Sequence, residues 1–223
     1  MNKLSRRLEV VASYVNDNSK VIDIGCDHGF LSIFLAKKYD NIKIIASDIN
    51  ENALSNAIKN INKMNLQDKI DVRLGNGLDV ISALEIDTIV ISGMGANTIV
   101  GILKYSRDKL TYVKDIIVQS NTDLYFLRKN ITSLGYYIED ETLVLDNNII
   151  YTVIKFSKGK KRYSYKELYL GPILFLKNDD LFKMKCKKEL DTLRIIRQNI
   201  NKGHYFYKKK LERNIRILEK MGM

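Results

Sequence analysis

The chain has 223 residues, the size of one ordinary domain or one domain with a modest appendage. Hydrophobic residues at 45 % exclude a mainly disordered chain, and no apolar run reaches the roughly 18 residues of a membrane span. Two cysteines, Cys26 and Cys186, and two histidines, His28 and His204, argue against a disulfide framework or a metal cluster. The first twenty residues hold no apolar stretch of signal-peptide length, so a metal-free protein of the reducing cytoplasm is expected.

The net charge of +11 is unevenly spread. Residues 1–156 carry 18 basic and 19 acidic side chains, whereas residues 157–223 carry 19 basic and 7 acidic. A compositional bias toward lysine would act on the whole chain, yet the first 156 residues are balanced. The tail therefore reads as a polyanion-binding segment in preference to a merely solvated pair of basic helices.

Leu4, Leu8, Val11, Ala12 and Val15 recur at helical spacing and predict a leading helix over 4–16. A buried strand over 20–24 follows, then a glycine-containing turn and a helix over 30–38. A second strand over 42–46 precedes Asp48 and a helix over 51–62. The third strand, 70–74, ends in Gly75-Asn76-Gly77. The fourth, 87–91, ends in Ser92-Gly93-Met94-Gly95 and a helix to about Lys104. The fifth covers 115–119, with a helix over 122–134. Five alternations predict a parallel sheet with helices on both faces. The runs 136–145 and 149–156, joined by Asp146-Asn147-Asn148, leave no room for a helix and predict an antiparallel hairpin. This α/β plan, a Rossmann-like seven-stranded sheet ended by an antiparallel hairpin, resembles the class I methyltransferases.

Residues 157–166 form a polar, basic connector that divides the chain into 1–156 and 157–223. Asn178 or Asp179 can cap a helix to about residue 201, with Leu190, Leu193, Ile196 and Ile200 on one face. Lys202-Gly203-His204 interrupts the pattern, and Leu211, Ile215 and Leu218 form a second stripe. An antiparallel, coiled-coil-like helical hairpin is expected; one kinked helix is the alternative.

The first strand-to-helix turn, Asp23-Ile24-Gly25-Cys26-Asp27-His28-Gly29, lacks the GxGxxG dinucleotide fingerprint. It matches the acidic-x-G-x-G-x-G turn of S-adenosylmethionine enzymes, with Asp27 at the middle glycine. Gly25 allows backbone approach to a ligand, and Gly29 allows close packing. Asp23 and Asp27 offer acceptors to an ammonium group. Asp48 suits ribose hydroxyls, which fits a nicotinamide cofactor equally well, and Asn76 suits an adenine amino group. Each of these reads singly as a turn or cap residue; together, at the carboxyl ends of adjacent strands, they predict a ligand cleft. Pro172 is the single proline, so the fourth strand lacks a Pro-Pro-aromatic clamp.

Ile22-Asp23-Ile24-Gly25-Cys26-Asp27-His28 with Leu31, Ser47-Asp48-Ile49-Asn50, Arg73-Leu74-Gly75-Asn76-Gly77-Leu78 and Gly93-Met94-Gly95 resemble the bacterial tRNA (adenine(22)-N1)-methyltransferase family. So do Gln119-Ser120-Asn121, Leu127-Arg128, Gly135-Tyr136 and Gly171-Pro172. The chain departs from that pattern at Cys26, Ser32, Asn76, Ala96 and Ser120.

The resemblance implies methyl transfer from S-adenosylmethionine to N1 of an adenine in the D arm of tRNA. It implies cofactor contacts from Asp23, Gly25, Cys26, Asp27, His28 and Gly29, from Asp48 and Ile49, from Asn76 and Gly77, and from Ser92, Gly93 and Met94. Asp27 is the expected catalytic contact, and Cys26 is not expected to act as a nucleophile. Arg6, Arg7, Lys160, Lys161, Arg162, Lys208, Lys209, Lys210 and Arg213 are the expected phosphate grips. Tyr163, Tyr165, Tyr205, Phe206 and Tyr207 either stack on bases or pack internally. No metal, no membrane and a monomeric state are expected. A class I methyltransferase acting on another RNA or base, and a non-catalytic RNA-binding protein on this fold, remain the alternatives.

Overall fold

The computed structural model describes residues 4–199 and 205–221. It comprises two compact units, Met1–Tyr163 and Ser164–Met223. The division falls later than residue 156. The last strand runs to Lys158, and the Ile138 amide donates to the Tyr163 hydroxyl at 2.8 Å, which ties the connector to the sheet. Counted this way the first unit holds 22 basic and 19 acidic side chains and the second 15 and 7, so the charge contrast is softer than the sequence division suggests.

The first unit runs α1 (Arg6–Ser13), β1 (Lys20–Ile24), α2 (Phe30–Lys38), β2 (Lys43–Asp48), α3 (Glu51–Lys63), β3 (Ile70–Leu74), β4 (Thr88–Met94), α4 (Ala96–Tyr105), β5 (Asp115–Ser120), α5 (Leu124–Ser133), β6 (Tyr136–Asp146) and β7 (Ile149–Lys158). The sheet order is β3-β2-β1-β4-β5-β7-β6. The first five strands are mutually parallel, and β7 runs antiparallel to both β5 and β6. Helices cover both faces, so strand residues such as Ile22, Ile89, Val90, Ile91, Ile116 and Ile117 are wholly buried. The strand order reverses between β1 and β4, which opens a crevice outside their carboxyl ends.

Several expected boundaries move, three of them for a clear local reason. Helix α1 begins only after Ser5, whose hydroxyl accepts from the Leu8 amide. Helix α5 starts at Leu124 because Asp123 caps it, accepting from the Phe126 amide at 2.9 Å. Strand β4 continues to Met94 through a register shift between Ser92 and Met94, where Gly93 takes φ +83°.

The second unit contains α6 (Tyr165–Leu170), α7 (Pro172–Lys177), α8 (Asp180–Asn199) and α9 (Tyr205–Glu219). Helix α6 begins at the end of the expected connector, 157–166, and α7 lies beyond it, in a stretch for which no element was expected. Ser164 and Glu167 form a reciprocal capping box, and Pro172 occupies the first turn of α7. Asp179, not Asn178, caps α8 by accepting from the Phe182 amide at 2.8 Å. Helices α8 and α9 pack antiparallel: Arg194 pairs with Glu219 at 3.0 Å and Arg197 with Glu212 at 3.9 Å. Leu190, Leu211, Ile215 and Leu218 are buried between polar faces, which makes the pair a hairpin. Ile200, the Lys202-Gly203-His204 break and the Tyr205 side chain lie outside the described residues. No described helix is long and apolar enough to cross a membrane.

Candidate active site

The turn after β1 is built on left-handed backbone: Gly25, Asp27 and Gly29 have φ of +74°, +50° and +70°. A Cβ on Gly25 would lie 2.3 Å from Met94 Cε, and one on Gly29 would lie 3.2 Å from Ala57 Cβ of α3. Gly29 thus permits α2 and α3 to close on each other. The turn is tied to β2, because the Gly25 and Cys26 amides both donate to the Ser47 carbonyl, at 2.8 and 3.0 Å. The Asp48 carboxylate accepts from the Asp27 amide at 3.1 Å and from the Asn50 amide at 3.0 Å. Each Asp48 oxygen keeps capacity for a further donor, and the residue is half-buried at the crevice.

Asp23, at the end of β1, is not on the surface. It is buried and accepts the Ser32 hydroxyl at 2.7 Å, bracing the first turn of α2. Burial, helped by the Asp48 carboxylate, pushes its carboxyl up to about 6 from the ordinary 3.8, against the Ser32 bonds. A carboxyl raised in the folded state contributes stability that is full below about pH 4 and lost as pH rises through about 6. Asp23→Asn should therefore flatten the stability profile over that window, by of order 2 kcal/mol. Thermal melts of both proteins between pH 4.5 and 7.5 measure this, and parallel profiles would count against it.

Burial and the neighbouring Asp23 and Asp48 carboxylates push the Cys26 thiol up, which keeps it a thiol and disfavours nucleophilic chemistry. Asp27 is exposed, with His28 Nε2 at 3.7 Å from its Oδ1. The His28 ring stacks on Phe30 at 5.4 Å between centroids. Ile49 is exposed beside Asp48. Beyond β3, Asn76, Gly77, Leu78, Gly101, Ile102 and Tyr105 line a hollow of about 250 Å³.

On the other side of the reversal, the ends of β4 and β5 carry a different chemistry. Gln119 is fully buried, and its Oε1 accepts from the Arg7 guanidinium, from the Gly93 amide at 3.1 Å and from the Ser92 hydroxyl at 3.3 Å. Its Nε2 donates to Asn121 Oδ1 at 3.0 Å, and Asn121 Nδ2 donates to the Gly93 carbonyl at 2.9 Å. Sequence reasoning did not place Gln119 and Asn121 at the site. The signals for them were a polar Gln-Ser-Asn run closing an otherwise apolar strand and its place among the motifs shared with the family.

The expected RNA contacts divide. Arg7 turns inward onto Gln119 and lies 5.3 Å from the Tyr151 ring centroid, so it braces the crevice where a phosphate grip was expected; Arg6 is exposed. Lys160, Lys161 and Arg162 are exposed, with Lys161 over the Tyr163 ring. Lys208, Lys209 and Lys210 are exposed on α9, and Arg213 lies 4.1 Å over the Tyr165 ring. The hydroxyls of Tyr163 and Tyr165 bond internally, to Ile138 and Asn214, which favours packing for these two rings. Phe206 and Tyr207 are exposed. Among the described residues no group of His, Cys, Asp and Glu could hold a metal ion.

A chain of 223 residues with this crevice and this second unit has close counterparts. A protein-family model described as tRNA (adenine(22)-N(1))-methyltransferase matches residues 21–221. The tRNA (adenine(22)-N(1))-methyltransferase of Bacillus subtilis (strain 168) is 31 % identical over 207 residues, covering 90 % of this chain and 87 % of that protein. The crystal structure of the B. subtilis M1A22 tRNA methyltransferase TrmK superposes with a TM-score of 0.91 at 27 % identity, covering 99 % of each chain. The structure of M. capricolum TrmK with S-adenosyl-homocysteine superposes with a TM-score of 0.86 at 30 % identity, covering 98 % of this chain and 97 % of the other. The match spans both units and includes the acidic turn and the glycine bulge, so the chain belongs to the tRNA (adenine(22)-N(1))-methyltransferase family.

Proposed function

We propose that this protein methylates N1 of an adenine in tRNA, position 22 in the D arm, using S-adenosylmethionine. The observation that carries the reading is the crevice at the strand-order reversal, floored by Gly25 and edged by Asp27 and Asp48, in a chain matched to the family over residues 21–221. The residues fit the cofactor. Gly25 leaves backbone exposed where a side chain would intrude, Asp48 keeps acceptor capacity for ribose hydroxyls, and the hollow beside Asn76 and Gly77 suits a planar base. The exposed Asp27 carboxylate supplies a negative field for an ammonium group and for a cationic product base.

When bound, the cofactor supplies an electrophilic methyl group on a sulfonium. Adenine N1 carries a free lone pair at neutral pH, so no residue need remove a proton first. The protein's part is then to hold the base, exclude water and balance charge. N1 lies on the Watson–Crick edge, so the base must leave its stack to be reached. A firm grip on the tRNA body follows, for which Lys160, Lys161, Arg162, Lys208, Lys209, Lys210 and Arg213 are the proposed contacts. In this reading 1–156 bind the cofactor and 157–223 bind mainly RNA.

Incubation with labelled S-adenosylmethionine and bulk tRNA, followed by nucleoside analysis, tests the reading. 1-Methyladenosine is expected; a different methylated nucleoside would redirect it to another base, and no transfer would leave a binding protein. Asp48→Ala should weaken cofactor binding by about 1.5–3 kcal/mol, the scale of hydrogen bonds to a charged group. Calorimetry on the folded variant measures it, and unchanged affinity would remove Asp48 from the site.

A further inference from the structure

We propose that Asn121 reads the Hoogsteen edge of the target adenine, and that Gln119 and Arg7 are positioning residues that fix the orientation of its carboxamide. The proposal rests on the methyltransferase reading above.

The crevice has two chemically distinct halves. The β1–β2 half carries the carboxylates of Asp27 and Asp48, whereas the β4–β5 half is framed by two carboxamides, a glycine bulge and one guanidinium. The polarity of this frame is set step by step. Arg7 can only donate, so Gln119 must turn Oε1 toward it, and the Gly93 amide, also a donor, converges on the same oxygen at 3.1 Å. Gln119 Nε2 is thereby aimed at Asn121, which meets it with Oδ1 at 3.0 Å. Asn121 Nδ2 then faces the Gly93 carbonyl at 2.9 Å, and the Asn121 amide donates to the Met94 carbonyl at 3.1 Å. Gly93 has φ +83°, and a Cβ there would lie 3.3 Å from Arg7 Nη1, so the bulge accepts this packing without a side chain. A carboxamide on an exposed residue ordinarily flips freely. Flipping this one would set N–H against N–H and oxygen against oxygen at two contacts.

After these bonds Asn121 keeps one N–H and one oxygen lone pair, on a residue exposed at the crevice. Adenine is the base that presents an acceptor, N7, beside a donor, the N6 amino group, and asparagine pairs with that edge in a bidentate way. Guanine presents two acceptors there and would leave the oxygen of Asn121 facing another oxygen. Holding adenine by N6 and N7 also leaves N1 uncovered, as methylation at N1 requires. A contact made on the Watson–Crick edge would mask the nucleophile instead.

The test uses tRNA carrying 7-deazaadenosine at the target position, which replaces N7 by C–H and keeps N1 and the amino group. The wild-type protein should lose about tenfold in kcat/KM on this tRNA, the scale of one bidentate base contact. Asn121→Ala should lose about tenfold on ordinary tRNA, lose no more than about twofold further on the 7-deaza tRNA, and keep its S-adenosylmethionine affinity by calorimetry. Equal wild-type rates on the two tRNAs would overturn the proposal while leaving the methyltransferase reading intact. Loss of cofactor affinity in Asn121→Ala, or undiminished sensitivity to the 7-deaza change, would make the residue a structural brace and overturn it too. No transfer to either tRNA would overturn both readings. The wild-type comparison needs no variant and decides the matter even if Asn121→Ala does not fold.

Discussion

Glu141→Ala is expected to destabilise the full-length protein by about 3–5 kcal/mol, the range for removing one member of a buried ion pair. Arg128 of α5 and Glu141 of β6 are both fully buried, with Arg128 Nε donating to Glu141 Oε1 at 2.6 Å. Removing the carboxylate takes the charge partner away from a buried guanidinium. For a domain of this size the melting temperature should fall by roughly 6–20 °C. The effect should also reach the site, because α5 begins at Leu124, close behind Asn121, and its packing on β6 holds that end of the crevice. Joint replacement by apolar residues of similar volume, Arg128→Met with Glu141→Leu, should recover most of the loss. Melts of the single and double variants decide it. A single change costing under about 1 kcal/mol, or a double variant no better than the single, would show that the pair does not hold α5 in place.

The parallel sheet was legible because its strands are buried on both faces and so appear as short, unbroken apolar runs between turn residues. The hairpin was legible because Asp146-Asn147-Asn148 leaves room for nothing else, and Asn147 and Asn148 do adopt the left-handed turn, with φ of +49° and +62°. Helices α6 and α7 were missed as elements although their signals were present: Ser164 with Glu167, and Pro172. Each helix has only six residues, too few for a periodic stripe to stand out from a basic connector.

The acidic half of the site was legible and the amide half was not. Asp48 stands out as a carboxylate behind a strand, although nothing local says that the Asp27 amide will hold it. The Arg7–Gln119 contact joins residues 112 positions apart, and no spacing rule reaches that far. Arg7 nonetheless carried a hint. It lies one turn before Val11, on the buried face of α1, whereas Arg6 points outward. Asp23 differs from both: it lies buried at the end of an apolar strand and braces the next helix through Ser32.

Reversing charge at Lys208, Lys209 and Lys210 should cost the largest share of tRNA affinity. These lysines lie exposed at the start of α9, and three glutamates there leave the buried Leu211, Ile215 and Leu218 unchanged. Each phosphate contact adds about −0.7 to −0.9 to the slope of log K against log salt. Losing three should weaken binding by about a hundredfold or more at 0.1 M salt and flatten the slope by about two to three units. S-adenosylmethionine affinity and the melting temperature should stay at wild-type values, which separates a lost RNA contact from a damaged fold. The equivalent change at Lys160, Lys161 and Arg162 tests the basic segment that the structure assigns to the first unit. A larger effect there than on α9 would shift the RNA grip to the connector, in line with the softer charge contrast between the two units. If affinity and salt slope survive both changes, the tail does not hold the substrate. Arg6 would then be the next residue to reverse, since Arg7 is already engaged with Gln119.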